Sequence, residues 1–251
     1  MSADFFNSAE SAVTYASTAA EIILLIRLTW LGLLKDFKLF AIYLAFDAVR
    51  TAALAGWNYH ALSYEWVWAT TVPLSTLLLA SASIELSYGL RQPFPSETGN
   101  RAFGLYGFLI GMTVSAVASM LAHPQAILRS TVLLTIIGRR CILTGCVLGI
   151  LAQGAYLLVG GAPLIANWRL HRRILLTYLA AVVIALFAST TSQKQYAEWI
   201  NLICNTSLFA CFWLWTALLA PSRAQSWADV RDLSFYNSLL TSRSKNEESL
   251  A

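Results

Sequence analysis

Residues 39–57 of the chain read LFAIYLAFDAVRTAALAGW. A helix that crosses the hydrocarbon core of a bilayer needs about 20 mainly apolar residues. This stretch has that length, and its apolar character is interrupted mainly by Asp47 and Arg50. We therefore predict that residues 39–57 form a transmembrane helix that carries two charged side chains.

Six further stretches have the same length and character, and they fill the chain on both sides of residues 39–57. They are Ala12–Leu34, Tyr64–Leu90, Phe103–Leu121, Arg139–Val159, Ile174–Ser189 and Tyr196–Leu219. With 57% hydrophobic and only 12% charged residues, the chain has about half the charge of a typical soluble domain, which is roughly 25% charged. We therefore expect an all-α, polytopic membrane protein built as a seven-transmembrane helical bundle.

The fifth stretch is longer than one crossing requires, because apolar character begins at Ala126 and continues to Val159. We predict that Gln125–Gly138 lies along the membrane surface as an amphipathic segment and that the span begins at Arg139. The alternative is a single long, tilted helix, which would measure about 50 Å.

The distribution of Lys and Arg predicts the orientation of the bundle. With the N-terminus outside, eleven of these residues fall on the cytoplasmic side and four on the outer side. We therefore expect an N-out/C-in arrangement with an extracytoplasmic N-terminus (residues 1–11), a transmembrane domain (12–220) and a polar cytoplasmic tail (221–251). The first ten residues contain no Lys or Arg, so we expect the first span to remain uncleaved.

Five ionisable residues lie well inside the predicted spans, namely Glu21, Arg27, Asp47, Arg50 and Glu85. A charge at the bilayer centre costs at least about 2.5–3.5 kcal/mol, so each should face the bundle interior and have a partner. Asp47 and Arg50 are three positions apart on one helical face, which favours an ion pair within the helix. Counted in residues from the ends of the spans, Glu21 should lie at the same depth in the membrane as that pair. Arg27 and Glu85 should lie together at a second depth, where they are a candidate ion pair.

These residues provide three carboxylates and two guanidinium groups, so one negative charge is left over unless Arg139 or Arg140 also reaches inward. A carboxyl group without a partner in a low dielectric binds a proton or a cation readily. Two interpretations stay open. The charges either staple helices together, or they line a functional polar cavity.

A second group of polar residues is predicted to lie toward the outer end of the bundle. Its members, which could line an outward-facing pocket for a small polar ligand, are Arg140, Glu198, Asn201 and Asn205. In the third span Thr71 and Ser75 recur at helical spacing and could face the same space. The alternative is ordinary helix contact, since Ser, Thr and Asn commonly hydrogen-bond between membrane helices.

No sequence motif indicates a reaction. The chain contains no GxSxG, HExxH, P-loop or Rossmann glycine pattern, and Asp47 is the only aspartate inside a predicted span. We therefore expect no enzyme activity, no catalytic residues and no cofactor. No basic run is interleaved with aromatic residues, so nucleic acid is not an expected partner; the lipid bilayer is.

Cysteine and histidine positions also argue against a metal or haem site. The four cysteines fall inside predicted spans without CxxC spacing, so we expect reduced, buried side chains; they are Cys141, Cys146, Cys204 and Cys211. The three histidines map to loops or span edges, where they could not ligate haem in the core; they are His60, His123 and His171.

Part of the chain resembles a group of uncharacterised bacterial seven-helix integral membrane proteins. The resemblance covers most of residues 12–219 and is carried by the runs LLIR (24–27), KDFKLFAIYL (35–44), Arg139–Leu151 and Asn167–Arg169. The layout also resembles the seven-helix sensor region found ahead of some bacterial histidine kinases, but nothing after Leu219 resembles a kinase. The resemblance implies a multi-pass protein of the bacterial cytoplasmic membrane, and it implies no functional residues.

Three functions follow from these observations. The first is a sensor-like or accessory protein that binds a small ligand, a protein partner or a second copy of itself through its outer half. The alternatives are a small transporter or proton/cation pathway that uses Glu21, Asp47 and Glu85, and a structural subunit of a membrane complex. A transporter requires broken helices or a water path to both faces, whereas a sensor requires only one open side.

Overall fold

The computed structural model describes residues 3–55, 62–88, 97–122, 131–159, 166–191 and 194–221. Within these ranges the chain is entirely helical apart from short turns. The seven helices are α1 (Ala3–Trp30), α2 (Lys38–Ala55), α3 (Leu62–Tyr88), α4 (Glu97–Ala122), α5 (Thr131–Val159), α6 (Ala166–Thr191) and α7 (Lys194–Leu218). The all-α prediction and the approximate positions of seven helices are therefore confirmed. The predicted cytoplasmic tail lies almost wholly outside the described residues.

Five of the helices are long and apolar enough to cross a membrane. Their apolar segments are Ser11–Trp30, Trp66–Leu86, Gly99–Ala122, Val132–Leu158 and Asn167–Ala188. The other two helices have shorter apolar segments: the whole of α2 has 18 residues, and the apolar part of α7 is Leu202–Leu218. Five such helices indicate a multi-pass membrane protein.

The outward-facing side chains agree with this class. Trp30 is 84% exposed and Leu158 is 85% exposed, and α4 presents Phe103, Tyr106 and Ile110 on its outer surface. Soluble monomers rarely expose contiguous apolar patches larger than a few hundred square ångströms. Lipid is the solvent that matches such a surface.

Six helices form a closed ring, and the seventh lies outside it. Around the ring α1 packs on α2, α2 on α3, α3 on α5, α5 on α6, α6 on α7, and α7 on α1. Helix α4 packs mainly on α5. The interior of the bundle is therefore bounded by α1, α2, α3, α5, α6 and α7.

A tight turn joins α1 to α2 and sets them side by side. Gly32 follows the end of α1 with φ 70°, ψ 20°, a left-handed conformation that glycine adopts without steric cost. A single 3₁₀ turn, Leu33–Lys35, then leads to α2. This reversal makes α1 and α2 antiparallel neighbours.

Glycines allow α4 to approach α5 closely. A Cβ added at Gly107 would lie 2.6 Å from the carbonyl oxygen of Leu148, and one at Gly111 would lie 2.9 Å from the Cα of Gly145. Contact between backbones replaces contact between side chains here, which is how small residues drive packing of membrane helices.

The prediction that the fifth span begins at Arg139 is wrong. Helix α5 begins at Thr131, so residues 131–138 belong to the same helix and not to a separate surface segment; residues 123–130 lie outside the described part. The 29 residues of α5 measure about 43 Å, which fits the core plus the headgroup regions of a bilayer. The arginine pair need not end the helix, because protein groups surround Arg140, which is only 1% exposed.

The cysteine prediction is confirmed, and His171 lies near the start of the apolar segment Asn167–Ala188, at a span edge as predicted. His171 lies in α6, fully buried, with its ring 4.6 Å from Phe37 and 4.7 Å from Phe40 between centroids. His60 and His123 lie outside the described residues. All four cysteines are buried and reduced.

Candidate ligand-binding site

A cavity of about 250 Å³ lies inside the ring, between α1, α2, α5, α6 and α7. It is bordered by residues 13–21 of α1, 47–51 of α2 and 178–186 of α6, so it lies toward the end of the bundle where the apolar segment of α1 begins and α2 and α6 end, and it is partly open. Its polar and charged lining residues are Thr14, Ser17, Thr18, Glu21, Asp47, Arg50, Thr51, Arg139, Tyr178 and Asn205.

The predicted ion pair of α2 forms part of the cavity wall. The Arg50 guanidinium lies 2.8 Å from Asp47 Oδ1, and the two side chains are 14% and 11% exposed. Ser75 of α3 donates a hydrogen bond of 2.9 Å to the same oxygen of Asp47. Asp47 is therefore held by a cation on its own helix and by a hydroxyl on the next, which confirms the predicted pair. Neither Ser75 nor Thr71 lines the cavity, and the Thr71 hydroxyl donates to the Val67 carbonyl of its own helix.

Glu21 of α1 lies on the cavity wall in the same layer, as predicted. It is only 5% exposed, and Asp47 and Arg50 are the charged groups close enough to act on it. Its Oε2 atom is buried and has no hydrogen-bond partner among the described residues. A buried polar atom without a partner costs about 1–3 kcal/mol, and more when it belongs to a charged group.

Arg139 of α5 lines the cavity as well. With it the lining contains two carboxyl groups and two guanidinium groups, so Arg139 is the member of the arginine pair that reaches this site. Nε of Arg139 is buried and has no hydrogen-bond partner in the described part of the chain. Nε of Arg50 is in the same state, but Arg50 has an ion-pair partner in Asp47. Glu21 and Arg139 thus bring unsatisfied polar atoms to the same site without an ion-pair partner among the described residues.

The predicted outer pocket is only partly correct. Asn205 lines the cavity, whereas Arg140 does not. Arg140 donates a hydrogen bond to Ser119 of α4, and its guanidinium carbon lies 4.1 Å from the ring centroid of Phe187. Successive residues of a helix point about 100° apart, so only one member of the arginine pair can face the cavity. The side chains of Glu198 and Asn201 lie outside the described residues.

The predicted pairing of Arg27 with Glu85 is wrong, because each binds a helix end instead. Glu85 accepts hydrogen bonds of 3.1 Å from the N–H groups of Leu39 and Phe40, in the first turn of α2. Arg27 donates to the carbonyl oxygen of Leu219, just past α7, at 3.4 Å. Helix N-termini have unsatisfied N–H groups and C-termini have unsatisfied carbonyls, and these attract negative and positive side chains respectively.

Aromatic side chains form the floor of the cavity. Tyr178 lines it and its hydroxyl lies 2.5 Å from that of Tyr43. Below this pair Phe40 packs against the ring of Trp215, 4.7 Å between centroids, and both are buried. The same aromatic cluster includes His171, 5.5 Å from Trp215. The cluster fills the interior beyond Tyr43 and Tyr178, on the side away from Asp47 and Arg50.

Sequence reasoning missed Tyr178, and it left open which arginine faces inward. One signal was available for Tyr178, since Tyr43 lies one turn from Asp47 on α2 and a buried tyrosine hydroxyl needs a partner. No sequence signal sets the rotation of α5 about its axis, because the residues around Arg139 and Arg140 are apolar on all sides.

Comparisons with protein-family models, with curated proteins and with solved structures find nothing that matches this chain. The class of the protein therefore rests on its helices and on this site. It is a helical multi-pass membrane protein with a charged, partly open cavity at one end of its bundle.

Proposed function

We propose that this protein is a sensor-like or accessory protein of the bacterial cytoplasmic membrane that binds a small polar ligand in the cavity between α1, α2, α5, α6 and α7. It has no catalytic activity of its own. The observation that carries the proposal is Glu21, a carboxylate buried in the cavity wall with an oxygen atom that no described residue satisfies. A ligand that supplies the missing hydrogen bond would gain affinity from it.

The alternative interpretation, in which the charged residues only hold the helices together through ion pairs, accounts for only part of the site. Asp47 has the partners that a staple requires, since Arg50 and Ser75 both bind it. Glu21 and Arg139 form no ion pair, although both side chains are described and both line the cavity. If Glu21 and Arg139 were buried only to hold helices together, they would be expected to pair with each other. That they form no ion pair supports a binding role.

The floor of the cavity favours a sensor over a transporter. Transport requires access from both faces, commonly through broken helices. Here α3 continues through Pro73, and Phe40 and Trp215 fill the interior beyond Tyr178. Glu85, which a proton or cation pathway would use, instead caps the start of α2.

The proposal includes seven crossings with the N-terminus outside, so the cavity opens toward the outer face. Two considerations support this topology. The Lys and Arg counts favour it, and the 18 residues of α2 measure about 27 Å, close to the ~30 Å thickness of a bilayer core. The bacterial cytoplasmic membrane is the location that the sequence resemblance implies.

The topology is tested with reporters fused to each end of the chain in intact cells. We expect a periplasmic reporter to be active at the N-terminus and a cytoplasmic reporter at the C-terminus. Activity of both ends in one compartment would contradict an odd number of crossings.

Ligand binding is tested by thermal unfolding of the purified protein in detergent with a panel of small polar metabolites. We expect at least one compound to raise Tm in the wild type and to have a much smaller effect in Glu21→Gln. The matched control is Thr29→Val, since Thr29 lies on the same helix but is exposed and bonds only the Leu25 carbonyl. A panel without any stabilising compound, or an equal shift in Glu21→Gln, would contradict the proposed site.

A further inference from the structure

We infer that the ligand of the cavity is a small zwitterion, whose cationic group binds Glu21 and whose anionic group binds Arg139. This inference rests on the proposed function and adds the chemical class of the ligand. It begins from the charges in the wall. Asp47 and Arg50 neutralise each other at 2.8 Å, so one carboxylate and one guanidinium group remain for a ligand.

The two remaining charges lie on helices that do not pack closely against each other. Glu21 is on α1, which packs on α2 and α7, whereas Arg139 is on α5, which packs on α3, α4 and α6. Both line the same cavity, and no ion pair joins these two described side chains. The protein therefore holds a negative and a positive group apart across a space, where charged groups interact more strongly than in water.

A ligand with a single charge would match only half of this arrangement. A cation could satisfy Glu21 but would leave Nε of Arg139 buried without a partner, and an anion would leave Oε2 of Glu21 in the same state. A site built to bind a polar group rejects an analogue that lacks the group, because its own buried atoms are then unsatisfied. A zwitterion satisfies both.

The size and the remaining lining set the kind of zwitterion. The cavity of about 250 Å³ is smaller than the roughly 300–1,000 Å³ of pockets for drug-sized ligands. Val182, Leu208 and Phe212 add an apolar wall, and Asn205 adds a neutral hydrogen-bonding group. A free α-amino acid with a short apolar side chain has this chemistry. A betaine has the same two charges but no N–H group, so it cannot donate a hydrogen bond to Oε2 of Glu21.

The experiment uses the full-length protein, purified in detergent, and thermal unfolding in the presence of each proteinogenic amino acid and of glycine betaine. At a ligand concentration about 100 times Kd, Tm should rise by about 5–10 °C. Stabilisation by an amino acid would support the inference. Stabilisation by glycine betaine with none by any amino acid would contradict it, because a quaternary ammonium group cannot donate the hydrogen bond that Oε2 of Glu21 lacks.

Derivatives with one charge removed then test the two contacts separately. For the best amino acid, its amide keeps only the cation and its N-acetyl form keeps only the anion. We expect each to bind the wild type at least about tenfold more weakly than the parent amino acid, since one buried group stays unsatisfied. Equal binding of either derivative would overturn the inference.

Crossed variants add a pattern that a purely structural role would not produce. Glu21→Gln should weaken the amino acid and the amide but not the N-acetyl form, and Arg139→Gln should weaken the amino acid and the N-acetyl form but not the amide. Arg173→Gln, an exposed position on α6, is the control and should change nothing. If either variant fails to give a monodisperse protein, Glu21→Asp or Arg139→Lys replaces it. Glu21→Asp should weaken the amino acid and the amide more than the N-acetyl form, and Arg139→Lys should weaken the amino acid and the N-acetyl form more than the amide.

The failure of this inference can be told apart from the failure of the proposed function. If no zwitterion binds but another small polar compound does, and Glu21→Gln abolishes that binding, the ligand class is wrong and the binding site stands. If no compound of any charge binds, both are wrong.

Discussion

Replacing Asp47 with asparagine should destabilise the protein, because the substitution leaves Arg50 buried without its counter-charge. The two groups are 2.8 Å apart and their side chains are at least 86% buried. Removing one partner of a buried ion pair typically costs about 3–5 kcal/mol. Ser75 can still donate its hydrogen bond to the oxygen of an asparagine, so the loss should come mainly from the charge.

The double variant Asp47→Asn/Arg50→Gln should recover much of this loss. Two neutral amides can hydrogen-bond to each other, and neither leaves a buried charge. We therefore expect the double variant to be more stable than Asp47→Asn alone by at least about 2 kcal/mol. The arithmetic of the double-mutant cycle isolates the coupling between the two residues.

The measurement is the free energy of unfolding in mixed micelles, obtained by titrating the purified protein with a denaturing detergent. Two hydroxyls on α3 provide a matched pair of controls. Ser75→Ala removes a hydrogen bond to a charged group and should cost about 1.5–3 kcal/mol. Thr76→Val puts a methyl group in place of the hydroxyl and so removes only a bond to the Val72 carbonyl in its own helix, and it should change stability little.

The reasoning would be refuted if the effects of the two substitutions on the free energy of unfolding were small and additive. If Asp47→Asn and Arg50→Gln each change the free energy of unfolding by less than about 0.5 kcal/mol, and the double variant shows their sum, then the pair contributes nothing to the bundle. In that case the low dielectric assumed for the cavity wall would also be wrong.

Three further predictions concern packing and helix ends. Gly111→Ala should destabilise the protein by about 1–3 kcal/mol because the added Cβ has no room against α5. The Cβ added in Gly138→Ala meets nothing within 4 Å, so this variant should be more stable than the wild type by about 0.5–1 kcal/mol. Unfolding in mixed micelles measures both changes, and equal effects would contradict the close approach of α4 and α5. Asn167→Ala should lower Tm more than Asn167→Gln, because Asn167 donates to and accepts from the backbone just past α7 at 2.8 and 3.2 Å; equal Tm values would refute that link. Glu85→Ala and Arg27→Ala should destabilise independently, so a double-mutant cycle should give a coupling below about 0.5 kcal/mol; a larger coupling would restore the ion pair that the structure replaces with two helix ends.

Hydrophobic length predicts where the helices are but not where they end. The sequence predicts a span from Ile174, whereas α6 begins at Ala166. The polar residues before Ile174 resemble a loop because hydropathy depends on residue type alone and not on the groups that a polar side chain contacts. Asn167 binds the backbone past α7, and His171 packs between Phe37 and Phe40. A polar side chain can continue a buried helix when a partner from a distant part of the chain is present, and a single-sequence pattern does not contain that information.

Depth along a span predicts which charges lie level with each other but not which groups they bind. Glu21 does lie level with Asp47 and Arg50. The pairing of Arg27 with Glu85 failed because only side chains were considered as partners. The first turn of α2 and the residue after α7 offer backbone donors and acceptors, and their partial charges attract ionised side chains.

One face of α1 nevertheless contains a signal for the position of the cavity. Thr14, Thr18 and Glu21 recur at helical spacing in its middle part, before Leu24, and line the cavity. The same face continues with Leu24 and Leu28, which are fully buried in the apolar core. The face changes from polar to apolar along a single helix, so the cavity must lie beside the part of α1 that precedes Leu24.

Helix α2 shows the reverse order, as an antiparallel neighbour should. Phe40 and Leu44 come first and are buried in the core, and Asp47 and Thr51 follow and line the cavity. Because the turn at Gly32 reverses the chain, the polar halves of α1 and α2 meet at one end of the bundle and the apolar halves at the other. Large side chains at the apolar end fill the interior to the density typical of proteins, whereas short hydroxyl side chains at the polar end leave space unfilled. The cavity and its aromatic floor are thus two results of one pattern: a helical face that is polar and small toward one end, and apolar and large toward the other.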